Sequence, residues 1–463
     1  MSAYPASAVS LKLPLRSLGM KLMLVSFLAL LMTIPALFVW SLIDDRSHRA
    51  DEVTDEVSAM VGGPETILGP ALAVPYTVPG SVAKPGQHGI YIVFARQGDV
   101  RVETSTEVRH RSLFKVPVYR SQIVFDASFD LTGVPANVPN NATLDWNRAE
   151  LLVGVSDPRG ARSDVVLNVA GEDLTLAPAT LLQNVTLHGK DGDTQLILFG
   201  AAASAFAQPG AKFTVKSQPL TFSGAKRLAV LSYADTTTLS MKGDWQHPSF
   251  NGGFLPTTRN IDANGYQAQW NVPFIARGVA AQGGVESLQQ LGRTAMAISF
   301  VELADPYQSV TRSLKYAVLF IGLVYLTYFL FEVGSSKRVH PAQYVLIGIA
   351  QLIFYLLLLS IAERIGFDLG FAIAAVATVA LISAYAGWVF SRTYGLRALV
   401  AFSLLYGFIY LLLRLEDQAL MVGSLASFAA IAAVMYFTRR MDWYASSTPE
   451  SQPQGAVPVR ENA

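Results

Sequence analysis

Five apolar runs between Ser313 and Phe437 constrain this chain more than anything else in it. They fall at about 314–333, 342–362, 369–390, 397–415 and 418–437, separated by short charged links. Each is about 20 residues long, the length an α-helix rising 1.5 Å per residue needs to cross a hydrocarbon layer of ~30 Å. A sixth run, Leu22 to Ile43, carries no charge and follows Lys12, Arg16 and Lys21. At about 22 residues it is longer than the core of a cleaved export signal, so it reads as an uncleaved signal anchor, with a kink expected at Pro35. Apolar residues make up 51% of the chain and charged residues 15%, as expected of a membrane protein. The net charge of +1 gives no electrostatic footprint for nucleic acid. With no cysteine, the chain has neither disulfides nor thiolate chemistry.

The expected architecture is membrane α plus all-β: a cytoplasmic segment 1–21, the anchor 22–43, a mostly-β domain over 44–313, the five-helix transmembrane bundle over 314–437 and a cytoplasmic tail 438–463, disordered from about 446. In the segment 44–61, Val53, Val57 and Met60/Val61 recur at helical spacing among charges, predicting an amphipathic helix that Gly62-Gly63-Pro64 ends. From 88 to 303 the period becomes 2: Val100, Val102, Thr104, Thr106 and Val108 alternate with charged or polar residues. Turn clusters such as Asp157-Pro158-Arg159-Gly160 separate the strands, and a mostly antiparallel β-sandwich of about 270 residues follows, large enough for its own core. Lys337, Arg338, Arg392, Arg397, Arg439 and Arg440 cluster on the links sharing a side with the N-terminus. By the positive-inside rule both termini are cytoplasmic and the β domain is periplasmic.

Two groups of residues stand out as candidate sites. The stretch Asp244 to Pro256 gathers aromatics, glycines and prolines in an expected loop. Trp245, Phe250, Phe254 and Trp270 can form a stacking surface for a sugar or peptide, and His247 can act as an acid or base. The plainer alternative is a packed loop closing one end of the sandwich, with His247 hydrogen-bonded inside. At the outer membrane rim lie Glu363, Arg364, Asp368, Arg414, Glu416 and Asp417. They are either boundary charges that set helix ends or a collar on which the domain docks. The spans themselves are nearly free of ionisable groups; Gln351 is the main polar side chain deep in one, and Glu332 lies near a helix end. A transporter would need more. Small residues at four-residue spacing (Gly366, Gly370, Ala374, Thr378) mark a helix-packing face. No P-loop, dinucleotide fingerprint, His-Glu-x-x-His or nucleophile-elbow motif is present, so neither cofactor nor metal nor catalytic residue is assigned.

Several linked stretches form a recognisable set. They are the run Gly62-Gly63-Pro64-Glu65-Thr66-Ile67-Leu68-Gly69-Pro70 with Val74-Pro75-Tyr76, the Trp245-to-Pro256 stretch, Gly265 to Trp270, and Asp305-Pro306-Tyr307-Gln308 with Lys315 to Ile321. His340-Pro341-Ala342-Gln343-Tyr344, Ser360 to Phe367, Leu411 to Asp417 and Met435 to Tyr444 continue it. Together they resemble the CreD family of inner-membrane, cell-envelope integrity proteins. The resemblance implies a bacterial inner-membrane protein tied to envelope integrity, colicin tolerance and β-lactam response under a two-component system, with no family catalytic residues to carry over. The expected function is non-catalytic binding of an envelope component through the β domain. The partners expected are the lipid bilayer and a periplasmic or inner-membrane protein or an envelope glycan; the oligomeric state has no signal in the sequence. The alternatives are a membrane enzyme acting on peptidoglycan or lipid at the periplasmic surface, and then a transporter.

Overall fold

The computed structural model describes residues 18–79, 87–111, 114–134, 138, 142–190, 192–300, 306–335, 337–415 and 418–439. Two compact units result, one of Met1–His48 with Ala304–Ala463 and one of Arg49–Leu303.

The first unit is helical. Helix α1 (Leu18–Leu31) breaks at Met32, and α2 (Thr33–Val61) continues from it, its residues from Arg49 onward belonging to the second unit. Pro35 has no N–H to give the Leu31 carbonyl, which accounts for a break one turn before it. Two short helices, α3 (Phe274–Arg277) and α4 (Glu286–Gln290), belong to the second unit. The first unit resumes with α5 (Pro306–Lys315), α6 (Ala317–Ser335), α7 (Pro341–Ile365), α8 (Phe367–Val389), α9 (Arg392–Arg414) and α10 (Ala419–Thr438). The five C-terminal apolar runs are thus five helices. Sequence reading did not single out α5, whose Tyr307, Val310 and Leu314 form one buried stripe at helical spacing. Gly370 packs where any β-carbon would lie 2.9 Å from the Ala362 nitrogen, and Ala374 and Thr378 follow it into the same buried face. Gly366 instead makes the turn between α7 and α8, with φ of 88°.

The second unit is β-rich. Strand β1 (Glu65–Val78) is buried without interruption from Glu65 to Val74. A strand covered on both faces has no reason to alternate, so period-2 patterning passes over it. Strand β2 (Gln87–Arg111) joins two sheets. Its first part pairs antiparallel with β1, Ala71 opposite Phe94. Its second part pairs antiparallel with β3 (Phe114–Asp130), from Gln97 opposite Ser128 to Arg111 opposite Phe114. The period-2 patterning from residue 88 through Val108 therefore belongs to one long strand. Among the described residues two pairings are parallel: β1 with Arg227–Val230, and β2 with Ala234–Gly243. The rest of the ladder is antiparallel. The two sheets share one core, in which Ile67, Leu72, Val153 and Leu198 of one meet Val100, Phe125, Leu239 and Trp270 of the other. Tyr233 sits between them, edge-on to Phe125 at 5.4 Å, in space left by Gly69 and Gly98, where any β-carbon would come 2.6 Å from its ring.

The last turns of α2 pack as their spacing predicts: Val53, Val57 and Val61 cover Val116, Val118 and Ala225. Gly62 and Gly63 then take φ of 123° and 61°, and both donate to the Ser58 carbonyl. This left-handed ending releases the chain into β1.

Candidate functional site

The aromatic stretch is not a loop throughout. Pro248–Gly252 forms a short strand paired with Met296–Phe300, Phe250 opposite Ile298. Alternation on that strand directs Phe250 to the core, edge-on to Tyr266 at 6.1 Å and to Trp270 at 5.8 Å. Trp270 is 2% exposed, and its indole N–H donates to the Phe254 carbonyl at 3.0 Å. Trp245 packs near Phe300 and donates to the carbonyl of His247, whose imidazole is exposed.

The same stretch presents its small residues to a cavity of about 440 Å³. Asn251, Gly252 and Gly253 form one wall. Gly189, Lys190, Gly192 and Thr194 of the facing hairpin form another, and Thr66, Arg227 and Gly292 complete it. Asn251 is fixed at both ends: its Oδ1 accepts from Arg227 Nε at 3.3 Å and its amide donates to Ser299 Oγ at 2.7 Å. Glycine is required at the wall by close backbone approach. Gly253 donates to the Ala295 carbonyl at 2.7 Å, and a β-carbon on it would lie 1.9 Å from the Arg293 carbonyl. Gly253→Ala is expected to cost about 1–3 kcal/mol through forced displacement of this strand, read as a lower thermal midpoint of the purified protein. Lys190 and Arg227 bring positive charge to a described lining without acids. With its hydroxyls, amide and exposed backbone, the cavity suits a polar neutral or anionic ligand. Among the described residues, no three His, Asp or Glu side chains gather as a metal site requires.

Beside α2, the Glu65 carboxyl is fully buried at the start of β1. One oxygen accepts from the Ser156 hydroxyl at 3.2 Å and the Asp157 N–H at 3.4 Å, while Oε1 has no partner. Burial pushes its pKa up to about 8, although these two donors pull the other way. Asp157 is the contrasting case: the Arg159 guanidinium holds it below the ordinary carboxylate range.

In the helical unit, Glu332 is 5% exposed and is bound by the Lys21 ammonium of α1, the Val339 N–H at 2.8 Å and the Tyr344 hydroxyl at 3.0 Å. The first helix is thus tied into the C-terminal bundle by charge. The signal was present as the lone acid inside an apolar run, but nothing local named its partner. Gln351 is buried and donates to the Phe320 carbonyl at 3.5 Å. The rim residues divide. Asp368 pairs with Arg414, and the Tyr410 hydroxyl bridges them, donating to Asp368 at 3.1 Å and accepting from Arg414 at 3.3 Å. Glu363 accepts from Tyr307 of α5 at 2.9 Å, and Arg364 is exposed. Glu416 and Asp417 lie outside the described residues. Exposed pairs of this kind contribute about 0–1 kcal/mol.

Among the described residues, five helices are long and apolar enough to cross a membrane: Leu18–Val61 and α6 to α9. The fold therefore defines a multi-pass membrane protein that carries a large β-rich unit in the chain between its first and second apolar helices. The chain belongs to the CreD family, whose model, described as inner membrane protein CreD, matches residues 17–444. It is 29% identical over 448 residues to the inner membrane protein CreD of Escherichia coli (strain K12), covering 92% of this chain and 94% of that protein.

Proposed function

We propose that this inner-membrane protein supports cell-envelope integrity and the response to envelope stress, β-lactams and colicins, and that it acts without catalysis by binding an envelope component. In this reading the β unit is periplasmic and both termini are cytoplasmic, an orientation supported by the Lys and Arg on the links at 334–340 and 391–396. The binding element is the glycine-walled cavity, and Asn251, held by Arg227 and Ser299, is the observation that carries it. A half-buried polar side chain fixed at the edge of a roomy cleft gives a glycan or peptide a defined hydrogen-bonding partner. Trp245, Phe250, Phe254 and Trp270 shape that wall from behind, His247 flanks it, and Glu363, Arg364, Asp368 and Arg414 set helix ends.

The test is photo-crosslinking in living cells from a probe placed at Lys190, with Thr194→Trp as the variant that fills the cavity. A discrete glycan or protein adduct that disappears in Thr194→Trp is the expected result. Crosslinks only within the chain, the same in both proteins, would overturn binding at this cleft.

A further inference from the structure

A second cavity, of about 540 Å³, opens on the β2–β3 ribbon beside the end of α2. Its lining includes Arg109 and Glu107 of β2, Arg120 of β3, and Arg162 with Ser223. The register explains why these meet. Ser105 lies opposite Arg120, Glu107 opposite Val118 and Arg109 opposite Val116, and directly opposed residues share a face of the sheet. The arginines therefore stand on the face whose valines α2 covers, and α2 ends at Val61, on the cavity wall. Arg162 reaches the same space from a neighbouring segment. Its backbone N–H donates to the Thr221 carbonyl at 2.8 Å, and its Nε donates to Ser223 Oγ at 2.8 Å.

Four other basic residues of the surrounding sheet and its flanks have acidic partners. Arg111 pairs with Glu56, Lys212 with Asp130, Lys216 with Asp126 and Lys242 with Glu103. Among the described residues, Arg109 and Arg120 have no carboxylate within ion-pair distance, and Arg162 is held by a hydroxyl alone. Three guanidiniums and the one carboxylate of Glu107 leave a net charge of +2 in one concavity. Converging like charges repel unless an anion joins them. The planar guanidinium fork matches phosphate oxygens, and a phosphomonoester carries about −1.5 to −2 at neutral pH. The cavity is also of ligand size.

We propose that Arg109, Arg120 and Arg162 bind a phosphomonoester or pyrophosphate group in this cavity. The site is separate from the glycine-walled cleft and does not depend on that reading. A soluble phosphorylated metabolite and a lipid with a terminal phosphate share this chemistry.

The test is calorimetric titration of the full-length protein in phosphatidylcholine nanodiscs, with inorganic pyrophosphate in one arm and dihexanoyl phosphatidic acid in the other. Saturable binding is expected, at least tenfold weaker in Arg120→Gln/Arg162→Gln and severalfold tighter in Glu107→Gln. Lys212→Gln, elsewhere on the sheet, should bind as the parent does. Phosphatidic acid binding at least tenfold tighter than pyrophosphate points to a lipid, and the reverse order to a soluble ligand. Because both arginines are exposed, the thermal midpoint of the double variant should match the parent. Arg109→Gln alone repeats the test if it does not. Absence of millimolar binding in both arms, or unchanged affinity in the folded arginine variants, would overturn the proposal.

Discussion

Replacing Glu65 by Gln is expected to abolish a pH dependence of stability in the β unit on the order of 4 kcal/mol. The carboxyl is protonated in the native state up to about pH 8, whereas in the unfolded chain it ionises near its ordinary value of 4.5. Below that value both states carry the proton, and the group's stabilising contribution is fully present. As pH rises from about 4.5 to about 8, only the unfolded state releases the proton, so the unfolded state is favoured and the contribution is lost. The amide of Gln has the same shape and no proton to lose. It brings a constant offset, so the informative quantity is the change in the difference between the two proteins across that window. Hydrogen exchange of β1 amides at pH 5 and pH 9 reads it within the β unit, separately from the opening of the helical unit. Parallel pH profiles for parent and variant would show that Glu65 is not the buried titrating group. Its position directly after Gly62-Gly63-Pro64 means that this ionisation acts at the joint where α2 becomes β1.

Glu332→Ala is expected to cost about 3–5 kcal/mol, because it breaks a buried ion pair and leaves the Tyr344 hydroxyl and the Val339 N–H without their acceptor. Lys21→Met should cost less, since Glu332 keeps two hydrogen bonds. Removing both charges together, as Lys21→Met/Glu332→Ala, should cost less than the sum of the two single losses, because neither charge is then left without its partner. The measurements are the thermal midpoint in detergent and the steady-state amount in the membrane fraction, arranged as a double-mutant cycle. Additive losses in the double variant, with no coupling, would mean that α1 and α6 are not joined through this pair.

The aromatic stretch shows how far local reading reaches. Its composition marked Trp245 to Pro256 as unusual, and the structure makes that stretch both a core wall and a cavity edge. Which residues do which follows from strand pairing: once Phe250 lies opposite Ile298 it turns inward. A loop reading had no such alternation to apply. The rim gives the same lesson. Arg414 and Asp368 were both visible as boundary charges, yet their pairing across Tyr410 depends on α8 and α9 lying side by side.

The membrane helices, the apolar stripe on the last turns of α2, and the Gly62-Gly63 ending were legible in the chain itself. Each is set by neighbours within a few residues: an apolar run long enough for the bilayer, valines one turn apart, a residue pair able to take positive φ. The glycine-walled cavity, the arginine-lined cavity, the buried Glu65 and the Glu332 cluster were not. Lys21 and Glu332 are separated by 311 positions, and Thr66 and Ser156 by 90. Such contacts depend on which strands pair and which helices adjoin, and their energy comes from water excluded by the whole assembly. No window of sequence contains that exclusion, so it emerges only when the distant segments have closed around it.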